Sequence, residues 1–434
     1  MNLQDTGGCI MASVPRMDCE KMLHHKLKCL KSGDIIDDEY TLSYTEGSLL
    51  SAQYSKELVP KNLPGVWNYA DWLPTSTTSE NVAGTVTYKS EKLSQALGMT
   101  NLWITFHGYW PEKGGLCPTG TFKDMEAVPT LVRIADHGCK GIICASAGNT
   151  ARAFSHYCGL SDTPLIVIVG ELHADRLRLP KNHPQDSVKV VVIEDGDYWS
   201  ATKVSKELAK SLEGWQLEGG AHNIARRDGI GTLIIDAAFT IGVLPKHYFQ
   251  GIGGGPGPIG VHEMANRLID SGTFEGPVPR QHVSQNIQHC PIHNAWQDGR
   301  ANLIDSDFPT REVEVYSDLL LNKSPCYSPV GGVYDILKQS NGQTYVVEKS
   351  DAVAAKKLFE EIEGIDILTP AAVALASLQQ ALEVGEISSD DCTVLNISGG
   401  GTERIAEDFE IAIIEPWLTV SGKDAVTEII AKLQ

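Results

Sequence analysis

From about residue 125 the sequence alternates between short, continuous Val/Ile-rich runs and amphipathic stretches, and this alternation leaves few architectures open. Residues 141–145, 165–169 and 188–193 read as strands, with helices over 125–137, 150–157 and 199–212. A strand that is apolar on every residue needs cover on both faces, and crossover helices supply it, so the pattern predicts a parallel sheet in an α/β fold. A helix over 231–241 leads into a strand over 248–252. The last third repeats the pattern, with helices over 353–361 and 371–383 and a strand over 393–397. Upstream, 90–98 reads as a glycine-closed helix, 102–106 as a strand and 40–54 as a β-rich patch. Residues 1–28 show no clear period and read as a loose extension. No internal repeat is present.

A chain of 434 residues predicts two or three domains. With 42% hydrophobic and 21% charged residues, it can build a core without metals or disulfides. The net charge of −19 excludes non-specific nucleic-acid binding, which needs a basic surface, but leaves room for a local anion site. Ten cysteines without any C-x-x-C pair point to reduced thiols and a cytoplasmic protein. No run approaches the roughly 20 apolar residues of a membrane span. Asp5, Arg16, Asp18, Glu20 and Lys21 interrupt any signal-peptide core at the start.

Four loops carry candidate chemistry. The first, P-T-G-T-F-K-D, delivers Lys123 to a helix start; a lysine amine bonds to aldehydes, and its pKa falls readily on burial. Standing alone, such a lysine is usually surface decoration. The second, Ser146-Ala147-Gly148-Asn149-Thr150, lies between a strand and a helix, where free backbone N–H groups suit a carboxylate and Asn149 can donate to a phenolate oxygen. The plain alternative is a capped turn. The third contains Gly253, Gly254, Gly255 and Gly257 and reads as a phosphate cradle at the start of a helix over 261–268. A dinucleotide loop is the alternative, but Pro256 and Pro258 remove donors, and Asp270, at the required spacing, falls in a helix. In the fourth, Ser398-Gly399-Gly400-Gly401, the Ser398 hydroxyl can meet a pyridine nitrogen. Together the four make up what pyridoxal phosphate requires.

In this order the motifs resemble the threonine synthase branch of fold-type II pyridoxal-phosphate enzymes, and within it the cysteate synthase family of coenzyme M biosynthesis. The closer resemblance is carried by Y-W-P-E-K-G (109–114), S-A-G-N-T-A-R-A-F (146–154), G-G-A-H-N-I-A-R-R-D-G-I-G-T (219–232) and N-A-W-Q-D-G-R (294–300). G-G-V-Y-D (331–335), E-G-I-D-I-L-T-P-A-A-V-A (363–374) and L-N-I-S-G-G-G (395–401) continue it. The segment around Cys29 holds one cysteine where such proteins often carry a paired-cysteine ribbon, so no metal site is expected.

The resemblance implies a tryptophan synthase β-like fold of two open parallel-sheet α/β domains with the cofactor between them. A large domain would take 86–126 and 246–434, a small one 127–245, and 1–85 would pack on the large domain. It implies that Lys123 holds the cofactor and moves the Cα proton. O-phospho-L-serine would be the amino-acid substrate, sulfite the nucleophile, and L-cysteate and phosphate the products. A threonine synthase-like reaction, or another phosphoamino-acid replacement, is the alternative. Ser146, Ala147, Gly148 and Thr150 would bind the substrate, and Lys113, Arg152 and Arg226 would supply cations for two anionic reactants. A homo-oligomer with no nucleic-acid or membrane partner is expected.

Overall fold

The structure, a computed structural model, describes residues 23–146, 148–194, 196, 198–311 and 313–434. Two parallel sheets organise it. The larger has six strands in the order Gln343–Val347, Arg280–Asn286, His247–Gly251, Thr393–Ile397, Leu102–Phe106 and Val86–Lys89, with only the last antiparallel. The smaller has five parallel strands in the order Trp215–Leu217, Gly141–Ala145, Leu165–Gly170, Val188–Glu194 and Leu418–Ser421. The central strand Leu165–Gly170 is buried along its whole length, as its unbroken apolar run requires. No described helix is long and apolar enough to cross a membrane.

Several boundaries differ from those expected. His25–Cys29 does not belong to a loose extension: it is the middle strand of an antiparallel sheet with Ile35–Ile36 and Leu50–Tyr54. Its alternating burial gives a period of two, too short to stand out in five residues. The strands Arg280–Asn286 and Gln343–Val347 were not anticipated. The first is nearly all polar, yet buried, and most of its side chains bond to neighbours, as His282 does to His247 and Tyr345, each at 2.9 Å. The strand Leu418–Ser421 and the helix Ala425–Leu433 join the smaller sheet, not the larger body to which 246–434 was assigned. Val420, Ala425 and Ile429 share a core cluster with Ile143, Val191 and Leu208.

The helices Lys123–Asp136, Ile224–Ile241 and Pro256–Asp270 pack together and share one core cluster with Ile142 and Val167 of the smaller sheet and Tyr248 and Val394 of the larger. Gly231 and Gly260 let the last two approach closely, since a Cβ on either would meet backbone of the other helix. The small antiparallel sheet is fastened to the Lys123 helix through a buried pair. Arg133 donates to both oxygens of Asp38 at 2.8 and 2.6 Å, and His25 adds a contact at 3.0 Å. Burial works against the Asp38 charge, but hydrogen bonds from His137, His25 and Arg133 outweigh it and hold the carboxyl well below its ordinary range.

Candidate active site

Strands Leu102–Phe106, Thr393–Ile397 and His247–Gly251 are neighbours and run parallel, so the segments leaving their C-terminal ends share one edge. Such an edge is where open α/β sheets take ligands. Three of the four expected loops leave from it. The turn after Ile397 is zipped to the approach to Lys123: the Phe122 N–H donates to the Ser398 carbonyl at 3.0 Å, and the Gly400 N–H to the Gly120 carbonyl at 3.0 Å. Ser398, 275 positions away in sequence, is thereby fixed beside the lysine. Thr119 closes the approach by donating its N–H and hydroxyl to Asp124 at 2.9 and 2.5 Å. Burial raises the Asp124 carboxyl to about 7 against those bonds.

Lys123 is the first residue of its helix, two residues earlier than expected, and its side chain is only 16% exposed. Nζ meets Glu126 Oε1 at 2.5 Å and lies 4.5 Å from the centre of the Phe122 ring. Burial pulls the amine below the ordinary lysine value; Glu126 works to raise it and Arg226 to lower it.

The Asn149 loop opens the helix Asn149–Ser161, seated by a bond from Gly148 N–H to Ser146 Oγ at 3.2 Å. Ala147 lies outside the described residues. Arg152 donates to Asn149 Oδ1 at 3.1 Å, so the Asn149 amide nitrogen is left as the donor facing away from it. Thr150 Oγ1 lies 3.5 Å from Arg226, which joins this loop to the lysine cluster.

The glycine loop leads straight into a helix that begins at Pro256, five residues before the expected start. Pro256 and Pro258 fall in its first turn, where an N–H has no helical acceptor, so they cost little there. Gly255 sits at φ 101°, a conformation costly for other residues. A Cβ at Gly253 would be 3.4 Å from Leu320 Cα, and one at Gly148 would be 3.5 Å from Leu319 Cδ2. Leu319 thus stands between the asparagine loop and the glycine loop. Asn322 points its amide nitrogen at Gly254, 3.0 Å from where a Cβ would be, and Asp318 pairs with Arg176 at 2.7 Å.

Two expected anion ligands are placed otherwise. Lys113 holds its cation 3.8 Å from the Tyr88 ring centre, 4.8 Å from that of Trp110 and 3.9 Å from Glu363. Arg226 is divided between two carboxylates, Glu126 and Glu218. Burial opposes its charge, but the two acids hold its pKa above the ordinary value. Of the three expected cations, Arg152 alone keeps a buried N–H, Nε, without a partner among the described residues. Glu126, Glu218 and the 318–322 segment were not anticipated. For Glu126 the available signal was an acid three residues past Lys123, on a helix face that also carries Thr130 and Arg133; the others carry none.

The pyridoxal-phosphate dependent enzyme family matches residues 78–399. The cysteate synthase of Methanocella arvoryzae is 45% identical over 418 residues, covering 95% of this chain and 100% of that protein. The cysteate synthase of Methanosarcina acetivorans is 44% identical over 409 residues, with 93% and 98% covered. Among solved structures, maize serine racemase superposes with a TM-score of 0.59 at 17% identity, covering 75% of this chain and 91% of that one. Serine racemase from Dictyostelium discoideum gives 0.52 at 18%, covering 74% and 92%. At such identity these two speak for the fold alone. The chain has the fold-type II architecture and belongs to the pyridoxal-phosphate dependent enzymes, grouping within them with the cysteate synthases.

Proposed function

We propose that the chain replaces the phosphate of O-phospho-L-serine with sulfite, giving L-cysteate and phosphate, with pyridoxal phosphate joined covalently to Lys123. The observation that carries the reading is the buried Lys123 amine at the strand-end edge where Ser398 and the glycine loop also gather. The choice of reaction is supported by 45% identity to a cysteate synthase over that protein's full length.

The residues fit the cofactor's chemical demands. Gly253, Gly254, Gly255 and Gly257 offer backbone at a helix N-terminus to a phosphate, and only glycine suits the backbone at 255. Asn149, its Oδ1 taken by Arg152, keeps its amide nitrogen as the donor for a phenolate oxygen. Ser398 supplies a neutral hydroxyl for a pyridine nitrogen.

Bound pyridoxal phosphate supplies an electron-withdrawing ring that lets a proton leave Cα of an attached amino acid. Lys123 then acts as the base at Cα and later returns the proton there; its lowered pKa supports that role. Ser398 would meet the ring nitrogen with a neutral hydroxyl in place of a carboxylate, which suits a reaction whose charge departs with the phosphate. Ser146, Gly148 and Thr150 hold the substrate carboxylate. Arg152 is the cation for the anionic groups, and its unpartnered Nε supports this.

The cofactor lies between two bodies, 86–126 with 246–417 and 127–245 with 418–433. The chain works in the cytoplasm as a homo-oligomer, its place in coenzyme M biosynthesis following from the product. Eight described cysteines are free thiols, which supports a reducing compartment. The test is to supply phosphoserine with sulfite, a thiol or an amine, and to follow phosphate and the amino-acid product by mass spectrometry. Cysteate and phosphate in equal amounts, formed with sulfite, are expected. Turnover only with another nucleophile, or threonine from phosphohomoserine, would replace sulfite chemistry with a different member of the branch.

A further inference from the structure

Lys123 has a partner that covalent attachment of the cofactor does not require. Glu126 stands one turn further along the same helix, with its side chain fully buried. Its two oxygens are divided. Oε1 receives the Lys123 amine at 2.5 Å, while Oε2 receives Arg226 Nε at 2.6 Å and Arg226 Nη2 as well. Arg226 Nη1 donates to Glu218, whose carboxylate is itself held by the Gly220 N–H at 2.9 Å. The array alternates in sign, lysine, glutamate, arginine, glutamate, and sums to zero. Arg226 therefore pins one oxygen of Glu126 and leaves the other aimed at the lysine.

We propose that Glu126, clamped by Arg226, is the positioning residue that receives the Lys123 amine whenever that nitrogen is not joined to the cofactor, and that takes up its surplus proton before it bonds again. The inference rests on the reading of Lys123 given above. An ammonium has no lone pair, so Lys123 bonds to an aldehyde carbon only after losing one proton. Oε1, at 2.5 Å, is the acceptor in place. The carbon–nitrogen bond then forms, and the aldehyde oxygen leaves as one water with the two remaining amine hydrogens. No oxidant or reductant is needed.

The charged groups facing Lys123 are few. Glu126 comes from its own helix, Arg226 from Ile224–Ile241 and Glu218 from the segment after Trp215–Leu217. Cys144, on Gly141–Ala145, also faces the array, but burial keeps its thiol neutral. Burial and Arg226 drive the proton off Lys123, and Glu126 and Glu218 hold it on. Removing the Glu126 charge leaves burial and Arg226 in force, so the lysine loses its proton at lower pH.

The experiment mixes cofactor-free protein with pyridoxal phosphate at a series of pH values and follows the visible band of the covalently held cofactor. In E126Q the midpoint for capture is expected to move to lower pH by about one unit or more, the usual effect of an opposite charge this close. The maximal capture rate should also fall, because the amine loses its docking point. E126D keeps the charge but withdraws the oxygen, and should keep a midpoint near that of the parent with a capture rate about tenfold lower. A purely structural role for Glu126 lowers the melting temperature and leaves midpoint and rate unchanged, and that result in either folded variant overturns the inference. If E126Q does not fold, E126D decides alone. A band retained in K123A would sink the reading of Lys123 instead, so the two failures are distinguishable.

Discussion

One guanidinium serves two groups at the start of the Asn149 helix. Arg152 Nη2 donates to the Asn149 amide oxygen, and its Nε, without a partner among the described residues, is the donor proposed for an anion. Arg152→Ala should therefore raise the KM for both phosphoserine and sulfite, by about tenfold or more, the loss of one charge-assisted hydrogen bond. Steady-state kinetics varying each reactant in turn checks this, and unchanged KM values for both would remove Arg152 from the anion site. At this scale the sequence was informative wherever one loop held the whole signal, as with Lys123, Asn149 and Ser398. It was uninformative wherever a side chain's role depends on a distant partner. Arg226 reads as a cation available for phosphate until Glu126, 100 residues earlier, and Glu218 are brought against it. Lys113 likewise reads as available until the fold sets its partly exposed cation near the Tyr88 and Trp110 rings and Glu363.

The glycine loop and its helix form a separate unit whose two demands can be told apart. At Gly253 an added methyl would make only ordinary contacts, 3.4 Å to Leu320 Cα and 3.5 Å to Leu319 O, so Gly253→Ala should fold. That methyl nevertheless stands in the loop assigned to the cofactor phosphate. We expect the dissociation constant for pyridoxal phosphate to rise by at least about tenfold, some 1.4 kcal/mol, with little change in melting temperature. Cofactor titration beside thermal unfolding measures both, and undiminished affinity would move the phosphate elsewhere. Elements were legible when burial made them mostly apolar: the strands Leu102–Phe106, Gly141–Ala145 and Thr393–Ile397 match the expected ranges. The strand Arg280–Asn286 was not, because it buries polar side chains, most of them hydrogen-bonded, and so shows no apolar run.

Over the whole molecule, the alternation of strands and helices was enough to reach a parallel sheet in an α/β fold, while its division into two sheets was implied only by the resemblance. The division of the chain between the sheets was not legible at its C-terminus. Leu418–Ser421 is a short strand whose place beside Val188–Glu194 depends on which sheet still has an open edge, a property no local pattern encodes. The His25–Cys29 strand was missed because its anchor is the Asp38–Arg133 pair, which joins segments 95 residues apart. Every functional assignment meets at Lys123. Borohydride reduction of the protein loaded with pyridoxal phosphate, followed by digestion and mass mapping, should place the cofactor's mass on the peptide containing Lys123 and on no other. A label on a different lysine, or none in the loaded protein, would contradict the account at its centre.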